Sequence, residues 1–305
     1  MNRILLVCLF VILNATLFAQ LNMADSTVQI IGYWDKNETQ SYSVVSEKYK
    51  IKEGDTLSRE TTKYTVDITI VDSTADSYLI EWQYKDYEIN SENALMKKIA
   101  SYAKDMKVLI RTDEMGSFEE VVNWKELRDY MFEVFDVLKP ELSEIPNMDQ
   151  FIDQMKGMYA TKEAIEAGVV QEIHQFYSFH GAKYEYGEEY NSDMKLANMY
   201  GGDPFDTKVT VWLDEMNPDD NNVIIRMTQT VDSEQLTQAT LAYLIRMAET
   251  LKLPLPKKED LPELSTETWL ASRIHGSGWV VYSIETREIK AEGQVNVEER
   301  IIEII

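Results

Sequence analysis

The chain has 305 residues, 44% of them hydrophobic and 27% charged, which are globular proportions for one large or two medium domains. Its 30 Lys and Arg stand against 53 Asp and Glu, for a formal net charge of -23. That balance argues against nucleic-acid binding, which needs a basic face, and against simple adsorption on anionic lipid.

The first nineteen residues read as a secretory signal peptide. Asn2-Arg3 is a short cationic start, Ile4 to Leu13 is an apolar run, and Asn14 to Ala19 leads to a cut before Gln20. The run is too short for a comfortable membrane span. Leu17, at the third position before the cut, is larger than the usual small residue. Cys8 is the only cysteine, and it has almost no apolar run ahead of it and no small neighbour. It therefore reads as part of the departing peptide and not as a lipid attachment point. The remaining chain has no cysteine, so an exported protein without disulfides must rely on a packed core. No second long apolar run follows, so no transmembrane segment is expected after signal removal. The expected location is periplasmic or secreted.

Val28 to Trp34 is the first strand candidate, and Glu38 to Lys52 a longer one whose apolar parity changes part-way, as at a bulge. The stretch from Tyr64 to Tyr84 organises the rest. Tyr64, Val66, Ile68 and Ile70, then Tyr78, Ile80, Trp82 and Tyr84, occupy even positions across a polar turn at 72–77. A period of two places all of them on one face of a hairpin whose arms run from Thr56 to Val71 and from Tyr78 to Ile89. Such a wall must be covered, by the chain or by a ligand. Ser91 caps an expected helix to about Lys104, and Val108–Thr112 with Phe118–Val122 form a hairpin around Gly116. Helices are expected from Asn123 to Pro140, from Asn147 to Met158, and from Thr161 to Phe179, the first two with a cap residue three before a Glu or Gln. Tyr184–Tyr200 reads as a strand, and Val209–Leu213 and Val223–Met227 as two more. Asp232 caps a helix to Lys252 that is apolar on most sides and should be buried on two of them. Leu253–Pro262 is an extended crossing. Three strands close the chain, at Trp269–His275, Trp279–Ala291 and Gln294–Ile305.

Hairpin-linked strand runs separated by helices imply an α+β fold: a long, curled, mostly antiparallel sheet, half-barrel-like, with helices packed on one face. Residues 20–305 are expected to form a single domain, with a helical middle at 123–181 between two lobes.

Little in the sequence points to chemistry. His174 and His180 are six apart and fall on different faces of a helix, so with His275 they make no metal set. No phosphate loop, nucleophile elbow or zinc signature is present. Asn217, Asp219 and Asn221 have the spacing of a calcium loop. However, Asn222 stands where glycine is wanted and Thr228 where the bidentate Glu belongs, so a hairpin tip is the expected reading. Acidic residues are too common for any one carboxylate pair to be informative. No cofactor or metal is expected, and an enzyme is the weakest of the functional readings. The positive signal is apolar: 17 Tyr, 6 Trp, 9 Phe and 14 Met, with Met131, Met148, Met155 and Met158 gathered in the helical middle.

The strand–helix order over most of residues 28–305 resembles the lipoprotein-carrier type of half-barrel found in periplasmic proteins. Arg111 to Phe118 also resembles a segment of uncharacterised exported proteins of similar layout. The first likeness implies a curled sheet holding helices in its concave face and a groove for acyl chains or other apolar ligands. It supplies no functional residue. Two readings follow. One is an exported, non-enzymatic binding or carrier-like protein whose groove takes an apolar or amphipathic small molecule at Tyr64, Val66, Ile68, Ile80, Trp82, Tyr84, Met131 and Phe135. The other is an exported structural or protein-interaction module with a filled core and an acidic surface.

Overall fold

In a computed structural model, residues 21–91, 97, 106–142, 147–198 and 200–305 are described. The expected signal peptide and the expected helix from Ser91 to Lys104 lie outside these residues, apart from Ser91 and Lys97. Fourteen strands are present: β1 (Leu21–Asn22), β2 (Thr27–Gln29), β3 (Thr39–Lys52), β4 (Asp55–Ser73), β5 (Ser77–Asn90), β6 (Lys107–Asp113), β7 (Phe118–Val121), β8 (Lys183–Glu185), β9 (Glu189–Leu196), β10 (Phe205–Asn217), β11 (Asn222–Val231), β12 (Ser265–His275), β13 (Val280–Ala291) and β14 (Gln294–Ile304). Among the described residues five α-helices are bounded at both ends: α1 (Trp124–Leu138), α2 (Met148–Met158), α3 (Lys162–Gly168), α4 (Gln171–Tyr177) and α5 (Ser233–Leu251).

Eleven strands form one sheet in the order β7-β6-β5-β4-β3-β14-β13-β12-β11-β10-β9, antiparallel throughout. Two meanders, one from each half of the chain, meet where β14 pairs with β3, with Ile302 opposite Val44. Strands β1, β2 and β8 form a separate small sheet. The expected α+β class is therefore corrected. Strands take 50% of the described residues against 24% helical, and the large sheet does not close on itself, so the fold is mostly β. The excess of strand comes from length: β4 alone runs for 19 residues, well beyond its apolar stretch. Polar residues such as Ser58, Thr61 and Thr62 carry weak apolar alternation, yet they pair with β3 across the whole hairpin.

Alternation does place the wall as expected. Val66 faces Tyr84, Ile68 faces Trp82 and Ile70 faces Ile80, and all six are fully buried. Tyr64 and Tyr78 are half-buried at the ends. The same face continues through the register to Tyr42, Val44 and Ile302, and then to Leu270, Ile274, Val223, Ile225 and Leu213.

Several elements differ from expectation. The single helix expected at 161–179 is two short helices, α3 and α4, broken at Val169-Val170. Gly168 and two β-branched residues weaken the helix there, and turning the chain buries Val170, Ile173 and Phe176 completely. Asn123 and Asn147 do not cap their helices. Asn123 instead accepts from Leu109 N–H and donates to Lys107 O, while Asn147 donates to Thr250 O. Asp232 caps α5 as expected, accepting from Gln235 N–H. The strand expected at 184–200 is split between β8 in the small sheet and β9 at the edge of the large one. Of the first strand candidate, Val28 to Trp34, only Val28 and Gln29 are strand.

The segment after β2 runs instead through a junction of four loops. Ile30 N–H donates to Ala182 O, Gly32 N–H to Met115 O, and Tyr33 N–H to Ser277 O. Trp34 sits at its centre, 5.2 Å from Tyr78, 5.3 Å from Trp279, 5.6 Å from His180 and 6.1 Å from Tyr177 between ring centroids. Gly278 has φ +84, and a Cβ there would lie 2.5 Å from Ile31 O, so only glycine fits.

Candidate functional site

The wall is occupied by the chain itself. Phe176 of α4 stands edge-on to both Trp82 and Tyr42, with 5.3 Å between centroids in each case. Tyr84 donates to Glu172 Oε1 of the same helix, a carboxylate only 9% exposed. Burial pushes the Tyr84 phenol well above its ordinary value, and the Glu172 carboxylate beside it adds to the rise. Of the sequence-derived candidates, Trp82 and Tyr84 therefore meet α4, and Val66, Ile68 and Ile80 are fully buried on the same face. Tyr64 stacks on Tyr87 at 4.7 Å. Met131 packs half-buried against the core, and Phe135 meets Tyr159 at 5.9 Å. None of these eight lines the groove among α2, α3 and α5.

An apolar groove lies nearby, among the helices. It holds about 620 Å³ and is formed by Phe151, Gln154, Met155, Gly157 and Met158 of α2, Glu163, Ala164 and Ala167 of α3, Tyr243, Arg246 and Met247 of α5, and Ala197, Asn198, Tyr200, Gly201, Gly202 and Pro204. That volume is in the range of small-molecule sites. Gln154 and Asn147 both donate to Thr250, which ties α2 to α5. Small residues on α3 leave the space, and methionines from α2 and α5 line it. The fourth wall is a turn with Gly201 and Gly202 at positive φ, held by Asn198 Nδ2 donating to the carbonyls of Gly201 and Asp203. Tyr200 stacks on Tyr243 at 4.9 Å, and Arg246 donates to Tyr200 O.

Two features of α5 make the groove chemically distinct. The helix was expected to be buried on two sides, but only Ala248 and Thr250 are buried. Leu236, Leu241, Tyr243, Leu244 and Met247 remain half-exposed, because the neighbours reach it only near its C-terminal end and along β10 and β12. Arg246 is the only cation among the lining residues, and no carboxylate among the described residues pairs with it. Glu163, the one acid in the lining, is engaged by its own backbone N–H and by Thr161, which hold it below the usual carboxylate range. Met155 and Met158 belong to the methionine cluster visible in the sequence. Ala164, Ala167, Tyr200, Tyr243, Arg246 and Met247 carry no sequence signal of their own.

The remaining polar features are structural. His180 is buried, with Nε2 2.8 Å from Gly278 O, and burial pushes it down to about 4. His174 contacts Glu166 O, and His275 contacts Ser277 Oγ. The loop at 217–222 is a hairpin tip in which Asn217 and Asp220 bond each other. Among the described residues no group of three or more His, Cys, Asp or Glu could hold a metal ion. No helix among them is long and apolar enough to cross a membrane.

No protein-family model matches the chain, and no curated protein matches its sequence. Among solved structures it is similar to lipovitellin, at 8% identity over 89% of this chain and 25% of that chain, with TM-score 0.39. It is also similar to DynF from Micromonospora chersina, at 5% identity over 93% and 88% of the two chains, with TM-score 0.22. A third is a putative exported protein with a YmcC-like fold from Bacteroides fragilis, at 7% identity over 90% and 99%, with TM-score 0.24. The chain spans about a quarter of the lipovitellin chain. At these scores the likeness is weak and carries no functional argument.

Proposed function

We propose that this is an exported, non-enzymatic binding protein that takes an amphipathic molecule in the groove between α2, α3 and α5. The observation that carries the reading is the lining: methionines, alanines and aromatic rings around a volume of about 620 Å³, with a single cation, Arg246, that has no carboxylate partner among the described residues. An apolar tail fits the methionine surface, which adapts to irregular shapes. An anionic head fits Arg246, whose remaining guanidinium donors are suited to a carboxylate or phosphate. In a chain this acidic, an arginine with no carboxylate partner among the described residues, beside an apolar groove, is a specific attraction set against a repulsive background. Export rests on the leader-like first nineteen residues.

The test is titration with a fluorescent fatty-acid probe, alongside native mass spectrometry of protein purified from its own host. The wild type binds the probe, and Arg246→Ala weakens binding by about tenfold, the worth of a lost hydrogen bond to a charged group. Ala167→Trp, which fills the groove, abolishes it. A neutral alcohol of the same chain length binds equally to the wild type and to Arg246→Ala. Absence of both probe binding and co-purifying lipid overturns the reading.

A further inference from the structure

The two ends of the large sheet are treated differently. At one end β7 is four residues long, and its Val121 N–H is taken by Glu166 Oε1 of α3, so that edge is partly closed. At the other end all eight residues of β9 are exposed, and its backbone pairs only with β10 among the described residues. β9 pairs with β10 without a bulge and contains no proline, so it lacks two of the usual guards of a free edge. Its even positions continue the sheet's covered face, where Tyr190 meets Tyr184 and accepts from Glu185 N–H. Tyr190, Met194 and Leu196 sit there, 41%, 54% and 41% exposed.

We infer that β9 pairs with β9 of a second copy, antiparallel and centred on Ser192, joining two sheets edge to edge about a two-fold axis. The charges select both the occupant and the register. Centring on Ser192 sets Glu189 opposite Lys195 of the second copy and Asn191 opposite Asp193, and the symmetry repeats both pairs. Tyr190 then faces Met194 on the apolar side. Centring on Asp193 would oppose that carboxylate to itself, and centring on Asn191 would set Glu189 against Asp193. A shift to an axis between residues would turn apolar side chains toward polar ones. Lys195 bonds Asp206 of β10 in its own chain, so a pair with Glu189 of the second copy shares or replaces that bond. One short strand edge buries less than a standard interface, and both copies are strongly acidic, so the pair forms with rising concentration and is not permanent.

The test uses the full chain, independently of any ligand. Sedimentation velocity over a concentration series shows a monomer giving way to a dimer. Lys195→Glu sets two carboxylates against each other at both ends of the pairing and weakens association by about tenfold. The double change Glu189→Lys with Lys195→Glu restores it. In a chain carrying Cys8→Ser, Ser192→Cys places two thiols on the axis and forms a covalent dimer on mild oxidation. Asp193→Cys does not, because its symmetry mate lies diagonally, beyond disulfide reach. A monomer at every concentration with no cross-link at 192 overturns the inference, even if a foreign peptide strand is found to bind the edge. Equal cross-linking at 192 and 193, or a double swap that fails to recover, also overturns it.

Discussion

His180 lies wholly inside the loop junction, and its ring is kept neutral there. The Gly278 carbonyl and the Asp113 carboxylate favour the charged form, but burial outweighs both and lowers the residue to about 4. Unfolded, it would titrate near 6.5. Between those two values the unfolded chain holds more protons, so stability rises with pH there and is lost as pH falls from about 6.5 to about 4. The slope amounts to about 2–4 kcal/mol in all. Urea titrations of the wild type and His180→Phe at pH values across that window should show the difference, with the variant's stability flatter. At the alkaline end, Tyr64, Tyr84, Tyr87 and Tyr177 all have raised values, first through burial, so they favour the folded state until pH passes their ordinary range and then oppose unfolding no longer. No sequence pattern announces such a histidine. Its burial follows from Gly32, Gly116 and Gly278 bringing backbone close around Trp34, a convergence of segments far apart in the chain.

At the scale of elements, α4 decides what the wall can do. Phe176→Ala removes the ring between Trp82 and Tyr42 and should cost about 3–5 kcal/mol, read as a lower urea midpoint at unchanged m-value. If the space stays open, the variant gains a dry apolar cavity able to take xenon or benzene, whereas the wild type takes neither at that position. Gly278→Ala should cost a comparable amount through its clash with Ile31 O, without opening any space. The hairpin facing α4 was legible because alternation is local: Val66, Ile68 and Ile70 sit two apart, and so do Ile80, Trp82 and Tyr84. The break at Val169-Val170 was not, because the apolar spacing runs on through it and only burial of Val170 against the sheet turns the chain. The groove was legible only as a methionine surplus. Its lining comes from four separate stretches, and each taken alone reads as an ordinary helix stripe or turn.

At the scale of the molecule, the sheet is two meanders held by one seam. Each is a run of neighbours in sequence, and the seam of β14 on β3 is the pairing that unites them. Removing residues 294–305 would leave β3 and β13 as long bare edges in the middle of the fold. Such a chain is expected to form soluble oligomers or precipitate, detectable by light scattering, because unguarded edges recruit one another. The helix count misled the reading of fold class for a related reason. Helices announce themselves over a dozen residues, whereas the polar outer reaches of β4 and β10 become strands only when a neighbour supplies hydrogen bonds.

Tyr42 and Val44 lie far along the chain from their partners Ile304 and Ile302. The middle of the sheet therefore closes after the flanking hairpins, whose strands are neighbours in sequence. A chain of this design holds two hairpin meanders before it holds one sheet, and its refolding waits on the distant seam.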